Sequence, residues 1–216
     1  MGGGDVPGAL SPPKRLPQTT LHQLAFHSRD LNALYKDSAP RSIRVVDGCL
    51  TECTVTRTKM FTIRKAKQED KESIYHVHAK AIRETCASHY SQEVIRIWVG
   101  RLQPEKYGVA ISSNEFFVAE KDGSVVGFGE LDPIGGEIAG LYVSPDASGR
   151  GVGWKLLCAL EEKARALGLE SLHLDSSLNA VSFYERAGFK SLEKRTKTLS
   201  PGVERASVRM FKELSQ

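Results

Sequence analysis

Three glycines lie within the short segment SGRGVG, at Gly149, Gly151 and Gly153. A helix signal follows them at once, and the first amides of a helix bind anions because they have no acceptor within the helix. Glycine lets the backbone come close to a bulky anion, and Arg150 adds a positive charge. The spacing therefore predicts a phosphate-binding turn at a helix N-terminus.

Two well-known phosphate-binding motifs do not fit this turn. A Walker loop needs Lys followed by Ser or Thr after its last glycine, whereas Gly153 is followed by Trp-Lys-Leu. A dinucleotide-binding fingerprint needs a further glycine where Trp154 or Leu156 stands. The remaining interpretation is a turn whose amides, from Gly149 to Gly153, face one concavity and suit the pyrophosphate of a cofactor.

The turn connects a predicted strand, GEIAGLYV, to a predicted helix with a C-terminal cap at Gly168. The helix has one apolar stripe, formed by Val152, Leu156, Leu157, Leu160, Ala164 and Leu167. From Met60 onwards, apolar periodicity and turn signals predict the order β-α-α-β-β-β-α-β-α-β-β. Hairpins combined with a βαβ crossover imply a mixed sheet, so the fold class is α/β (mixed α+β).

The composition changes near Met60. Residues 1–59 carry 8 Lys and Arg against 5 Asp and Glu, and residues 60–216 carry 22 against 21. We expect residues 1–59 to be a poorly ordered or extraneous extension and residues 60–216 to be one domain. The nearly neutral body argues against a nucleic-acid partner, and no apolar run is long enough to cross a membrane. Four scattered cysteines predict reduced thiols in the cytoplasm and no metal site.

Three segments, in order and spacing, resemble the GNAT acyltransferase superfamily over residues 60–216. They are LYVSP at Leu141–Pro145, GRGVG at Gly149–Gly153 and SLNAVSFYERAGF at Ser177–Phe189. The resemblance implies a central mixed, mostly antiparallel twisted sheet flanked by about four helices. It also implies transfer of the acetyl group of acetyl-CoA, as co-substrate, to a primary amine by direct attack. The chain departs from the family motif at Ser148, where a Gln or Arg usually supports the pyrophosphate loop.

The resemblance also implies which residues bind the cofactor. In this family the strand that carries GLYV splays from its neighbour, which leaves amides near Leu141, Tyr142 and Val143 free for the pantetheine arm and the acetyl oxygen. Free amides directed at a developing oxyanion are an effective catalytic device. The turn from Ser148 to Gly153, with Val152 and Arg150, is expected to hold the pyrophosphate. The family's asparagine aligns with Ser177, and an asparagine follows at Asn179, so either can bond the pantetheine arm.

Direct attack needs a neutral amine, whereas the pKa of a free alkylamine is about 10.4. A general base is therefore expected, acting directly or through water. The candidates are Glu137, which we prefer, Glu130 and Asp175. The leaving thiolate needs a proton, and the family takes it from the tyrosine of the FY pair, which is Tyr184 here. The alternative for Tyr184 is a core aromatic that packs with Phe183 and Phe189.

The acceptor site of the family lies beside the first two helices. Its lining is expected to include His89 and Tyr90, with Trp98 either in the lining or in the core. The acceptor is a small-molecule amine or a peptide amine, and pairing into a homodimer, common in the superfamily, stays open. The alternative function is a non-catalytic acyl-CoA-binding sensor or interaction module of the same fold.

Overall fold

A computed structural model describes residues 61–214 of the chain, and the predictions made for residues 1–60 lie outside the described residues. The described residues form one sheet with helices on both faces. The strands are β1 (Thr62–Lys65), β2 (Glu115–Lys121), β3 (Ser124–Asp132), β4 (Glu137–Val143), β5 (Ser171–Ser176), β6 (Lys190–Ser200) and β7 (Val203–Glu213). The helices are α1 (Lys71–Thr85), α2 (Gln92–Gly100), α3 (Pro104–Ser113), α4 (Val152–Ala166) and α5 (Val181–Arg186).

The strands follow the order β1-β2-β3-β4-β5-β7-β6 across the sheet. Every neighbouring pair is antiparallel except β4 and β5, which the βαβ crossover through α4 makes parallel. This arrangement confirms the predicted mixed, mostly antiparallel sheet and its seven strands. No helix within residues 61–214 has the length and apolar character needed to cross a membrane.

Helix α3 is the element that the sequence pattern did not reveal, so the described residues contain five α-helices where about four were expected. Pro104 occupies its first turn, where a missing amide hydrogen costs nothing. Only Tyr107 of this helix is buried, and Gly108 lies in its interior. The apolar stripe is therefore too weak to indicate a helix in the sequence.

Several local signals appear as predicted. Ser91 caps α2, and its hydroxyl accepts a hydrogen bond from the Val94 amide at 3.3 Å. The hairpin between β2 and β3 turns at Asp122 and Gly123, both with positive φ. Helix α4 ends before Gly168, which adopts the left-handed conformation with φ of 76°. Local chemistry therefore decides where these elements begin and end.

Apolar side chains cover both faces of the sheet. On one face, α1 and α3 pack against β2 and β3 around Ile74, Tyr107 and Phe128. On the other face, α4 and α5 pack against β3, β4, β5 and β7 around Leu160 and Met210. The two helix layers therefore fix the sheet between them, and each strand residue belongs to one face or the other.

Strands β4 and β5 pair at one end only. Their single aligned pair is Glu137 with His173, at the start of β4. On the opposite edge of β4 the register with β3 shifts, because Leu131 faces Ile138 whereas Glu130 faces Gly140. Ala139 is thus an extra residue, a β-bulge that bends β4 away from β5. The carboxyl half of β4 is left without a strand partner on the β5 side.

Candidate active site

A cleft of about 600 Å³ opens where β4 and β5 separate. Its walls come from the carboxyl half of β4, the turn before α4, the end of β5, α5 and the last turn of α1. The lining residues are Ala81, Thr85, Cys86, Ile138–Val143, Ala147–Gly149, Gly151–Trp154, Leu174–Ser177, Asn179, Ala180, Phe183, Tyr184 and Arg186. Most of the residues proposed for cofactor binding therefore meet in one place.

The glycine turn, Ser148–Gly153, forms one end of this cleft. Gly149 and Gly151 have φ of 71° and 80°, which non-glycine residues rarely adopt. The first helical hydrogen bond of α4 runs from the Lys155 amide to the Gly151 carbonyl. The amides of Val152, Gly153 and Trp154 consequently have no acceptor within the helix, and the turn has the geometry of an anion site.

Two residues of the turn differ from the others. The Ser148 amide already donates to the Pro145 carbonyl at 3.1 Å, so this residue offers the cleft its side chain and not its amide. Arg150 is exposed and does not line the cleft. The amides after Gly149 therefore contribute more to the site than the two longer side chains do.

Strand β4 presents amides to the gap on the β5 side. The Ser144 amide donates to the Val126 carbonyl on β3 at 2.8 Å. Because consecutive strand amides point to opposite edges, the amide of Tyr142 also faces β3, whereas those of Leu141 and Val143 face the gap. This is the arrangement expected for binding a pantetheine arm and a carbonyl oxygen. The backbone of Tyr142 does not take part, and its ring lies on the α1 face of the sheet.

Tyr184 lines the cleft from α5 and is largely buried. Its ring makes edge contacts with Phe183 and Phe189, with centroids 5.1 Å and 5.6 Å apart. Burial raises the pKa of its phenol, so the hydroxyl stays protonated at neutral pH. The ring therefore packs in the core, and because the residue also lines the cleft its role as general acid stays a prediction.

Ser177 and Asn179, the two candidates for the pantetheine arm, both line the cleft. The Asn179 carbonyl oxygen accepts a hydrogen bond from the Cys86 thiol at 3.3 Å. The side chain is therefore held in place by α1, and its amide group remains the free donor. Asn179 and Ser177 share one wall, so the structure leaves both as candidates.

The three candidate carboxylates lie on the α1 face of the sheet. Asp175 belongs to the lining of the cleft, whereas Glu137 and Glu130 lie outside it. Glu137 lies 3.7 Å from the His173 ring and 3.6 Å from the Arg209 guanidinium. Asp175 lies 3.5 Å from the same Arg209 and 3.8 Å from Arg195. The bulge at Ala139 brings Glu137 to the face that carries Gly140 and Tyr142.

Glu130 is more enclosed than these two. It faces Gly140, the residue before Leu141, across the β3–β4 pair. Its carboxylate accepts a hydrogen bond from the Asn114 side-chain amide at 2.7 Å. Burial raises the pKa of Glu130, and the bond from Asn114 opposes that shift. A carboxylate of this kind is a stronger base than a free one.

His89 and Tyr90, proposed for the acceptor site, have different surroundings. His89 is exposed, bonds its neighbour Ser88 at 2.8 Å and lies outside the cleft. The Tyr90 hydroxyl donates to the Ala206 carbonyl at 2.8 Å and accepts from the Leu178 amide at 2.9 Å. Tyr90 therefore links the α1–α2 connection to β7 and to the start of α5.

Sequence reasoning missed a group of side chains next to the inner end of the cleft. His78 on α1 bonds the Tyr107 hydroxyl at 2.8 Å through Nδ1, and its ring lies 3.8 Å from the ring of Tyr142. Its Nε2 atom is shielded and has no partner among residues 61–214. Burial, with the nearby positive charge of Arg205, lowers the pKa of His78 to about 3. A polar residue on the apolar stripe of α1 was the available signal.

Comparison with known proteins decides the family. The model described as "Acetyltransferase (GNAT) domain" matches residues 86–200, which is more than half of the chain. The chain belongs to the GNAT acetyltransferase family. The glycine turn, β4 and α5 of this GNAT domain all lie within the matched segment.

Individual relatives agree with this assignment. The chain is 30% identical to a spermidine N(1)-acetyltransferase of Thermoplasma acidophilum, over 59% of this chain and 87% of that protein. It is 37% identical to an IAA acetyltransferase of Azospirillum brasilense over 34% of this chain. The matched segments span 53% of that protein and 63% of an uncharacterized N-acetyltransferase, MJ1207, of Methanocaldococcus jannaschii.

Solved structures share the GNAT fold. A GCN5-related N-acetyltransferase from Rhodopseudomonas palustris superposes with a TM-score of 0.67 and 31% identity, over 71% of this chain and 96% of that chain. The PaiA N-acetyltransferase from Thermoplasma acidophilum, solved with coenzyme A, gives 0.61 and 28% identity, over 71% and 99%. The predicted fold is confirmed, and the second structure has a coenzyme of the expected class.

Proposed function

We propose that this protein transfers the acetyl group of acetyl-CoA to a primary amine by direct attack, without a covalent enzyme intermediate. The observation that carries the proposal is the cleft between β4 and β5, which runs from the glycine turn to Tyr184. One end suits a pyrophosphate, the middle offers strand amides, and the other end holds a buried phenol. The PaiA relative solved with coenzyme A supports a cofactor of this class.

In the proposed complex the pyrophosphate binds the amides of the glycine turn, and Arg150 adds attraction from the surface. The pantetheine arm lies along β4, where the Leu141 and Val143 amides take the place of the missing strand partner. Asn179, or Ser177 beside it, bonds the amide groups of the arm. The reaction uses acetyl-CoA as co-substrate and needs no metal ion.

The thioester carbonyl is expected to accept hydrogen bonds from the free amides of β4. These donors are fixed by the β3–β4 pairing and need no reorganisation when charge develops on the oxygen. Removing one such donor from an oxyanion site typically costs about 10²–10³ in rate. The strand bulge therefore has a catalytic consequence, because it is what frees the amides.

Tyr184 is the proposed general acid. A phenol has an ordinary pKa of about 10 and a thiol about 8.5, so a protonated phenol does not lose its proton to solvent at neutral pH. Burial raises the pKa of Tyr184 further. Proton transfer to the thiolate therefore depends on how closely the phenol is placed beside it. The phenol gives its proton only to a thiolate formed directly beside it.

The proposed general base is Glu137, with Glu130 as the alternative. Glu137 is about two-fifths exposed, so a water molecule can carry the proton from the amine to its carboxylate. Glu130 faces Gly140 on β4 and has a raised pKa, which favours it as a base at neutral pH. Glutamine variants of the two separate these roles, as set out in the Discussion.

Thermal unfolding of the full-length chain with acetyl-CoA, CoA, ATP and NAD, each added separately, tests the proposal first. A ligand at 100 times its dissociation constant adds about 2.7 kcal/mol of stability, which corresponds to a rise of several degrees in the midpoint. We expect acetyl-CoA and CoA to raise the midpoint and NAD to leave it unchanged. An equal shift with ATP or NAD, or none with acetyl-CoA, contradicts the proposed cofactor.

The same preparation separates an enzyme from a non-catalytic acyl-CoA sensor. Tyr184→Phe keeps the packing of the ring and removes the proton donor. We expect kcat with a panel of amines to fall about 10²–10⁴-fold while the affinity for acetyl-CoA changes less than threefold. Binding without turnover by the unchanged protein, on a panel that spans simple amines, amino acids and peptide N-termini, supports the sensor instead.

A further inference from the structure

Arg205 on β7 has a position that nothing in the proposed chemistry uses. Its guanidinium lies over the Trp98 ring, 4.4 Å from the centroid, and the side chain is half-buried. The Nε atom is shielded from solvent and has no hydrogen-bond partner in residues 61–214. An arginine that loses water at Nε without a partner is unfavourable in the free protein, so a ligand that supplies an acceptor gains from binding there.

The surroundings of Arg205 connect it to the cleft. The Trp98 ring beneath the guanidinium packs in one apolar cluster with Cys86 and Tyr142, both of which line the cleft. The Tyr90 ring contacts the Trp98 ring, with centroids 5.6 Å apart, and the His78 ring lies against the Tyr142 ring. We call these five residues, Arg205, His78, Cys86, Tyr90 and Tyr142, the Arg205 cluster. The cluster lies at the inner end of the cleft, because Cys86 and Tyr142 belong to the cleft lining and the Tyr90 hydroxyl bonds the Leu178 amide just before α5.

Two other arginines on the α1 face of the sheet have carboxylate partners. Glu137 and Asp175 lie beside Arg209, and Asp175 also lies beside Arg195. Arg205 differs, since no carboxylate forms an ion pair with it in the part of the chain that the structure describes. The charge that lacks an ion-pair partner near the proposed acceptor site is therefore positive. A polycationic acceptor would be repelled by it.

We propose that Arg205 binds a carboxylate of the acceptor, so that the acceptors are amines that also carry a carboxylate, as amino acids do. This inference rests on the proposed acetyl transfer and names its substrate class. The planar fork of arginine, through Nε and a terminal nitrogen, matches the two oxygens of a carboxylate.

His78 provides a second group for the same ligand. Its Nε2 atom is shielded and unpaired, and its ring stacks on Tyr142 of the same cluster. Both of the buried side-chain nitrogens that lack a hydrogen-bond partner among residues 61–214, His78 Nε2 and Arg205 Nε, thus belong to one cluster. Two such atoms in one place are expected where a polar ligand completes the site.

Calorimetric titration of the CoA-loaded full-length protein tests the inference, because CoA fills the cofactor site and permits no reaction. The probes are glycine, L-methionine and L-phenylalanine, each beside its carboxamide, which keeps the amine and removes the charge. Hydrogen bonds to charged groups contribute about 1.5–3 kcal/mol, so we expect at least one amino acid to bind about ten- to a hundredfold tighter than its carboxamide. Acetylation rates with acetyl-CoA should follow the same preference.

Three variants make the test specific. Arg205→Met keeps the side-chain stem over Trp98 and should abolish the preference, whereas Arg205→Lys should keep part of it. Arg165→Met removes one arginine from α4, on the other face of the sheet, and should leave the preference unchanged. The thermal midpoint with CoA shows that each variant is folded.

The outcomes separate this inference from the proposed function. Equal binding of amino acid and carboxamide, no binding of any amino acid, or a preference that survives in Arg205→Met overturns the role of Arg205. If the role of Arg205 is overturned but amines that lack a carboxylate are acetylated, the proposed acetyltransferase function still holds. Selective binding of amino acids without acetylation of any amine would support the carboxylate site and contradict the proposed reaction.

Discussion

The two ends of the cleft present different groups, backbone amides at one end and side chains at the other. The glycine turn consists of backbone amides from a few consecutive residues before α4. The Arg205 cluster consists of side chains from α1, the α1–α2 connection, β4 and β7, which are far apart in the sequence. Backbone groups bind what all members of a family share, and side chains can change without altering the fold. The difference predicts that variants at one end change cofactor affinity and variants at the other change acceptor choice.

The largest expected effect is at the general base, where Glu137→Gln and Glu130→Gln are compared. The variant that removes the base should lower kcat/KM about 10²–10⁴-fold, and the other less than tenfold. We expect the large loss at Glu137. Both variants should keep the affinity for CoA, as isothermal titration would show, because neither residue lines the cleft.

The pH profile of kcat/KM adds a second criterion for the base. A base works when deprotonated, so the rate falls as the pH falls through its pKa. Burial raises the pKa of Glu130, which would move this acidic limb to higher pH if Glu130 were the base. Loss of the limb in only one variant identifies the base, and small losses in both contradict a carboxylate base on β3 or β4.

The next largest effect is expected in the glycine turn. Gly151 has a φ of 80°, and placing alanine in the left-handed region costs about 1–2 kcal/mol. Gly151→Ala should therefore raise the Kd for CoA about tenfold, with little change in the preference between amino acid and carboxamide. Gly100→Ala is the matched control, because Gly100 has open space around it and no positive φ. Equal Kd values in the two variants would show that the turn does not bind the cofactor.

The smallest effect is expected at Ser148, where the chain departs from the family motif. Ser148 lines the cleft at the glycine turn, so Ser148→Arg places a positive charge beside the pyrophosphate. An exposed charge pair contributes about 0.2–1 kcal/mol, so the Kd for CoA should fall by up to about fivefold. Ser113→Arg adds the same charge at the end of α3 and should leave the Kd unchanged. An unchanged Kd in both variants would mean that the amides alone hold the pyrophosphate.

The sequence predicted the conformation of the glycine turn and the helix after it, because their signals are local. The spacing of Gly149, Gly151 and Gly153, the apolar stripe of α4 and the cap at Gly168 all follow from conformations of neighbouring residues. The same holds for Ser91 at the start of α2. The fold class followed from the order of such elements, and α3 escaped because its pattern is weak.

The surroundings of the proposed acceptor site could not be predicted in this way. His89 and Tyr90 were proposed from their place between two helices, yet His89 is exposed and the Tyr90 hydroxyl is occupied by backbone partners. Arg205 gave no signal, since a single arginine in a strand is ordinarily a solvated residue. Only the pairing of β7 with β5, and the packing of α2 on β7, brings Arg205 to Trp98 and the inner end of the cleft.

By itself, the sequence determined the elements, the glycine turn and the family, because turns, caps and apolar stripes depend on residues within a few positions of one another. The tertiary structure alone decided which charges are paired, which amides of β4 are free and which side chains meet at the inner end of the cleft. These depend on a bulge at Ala139 and on strand register, and register is set by packing between distant segments.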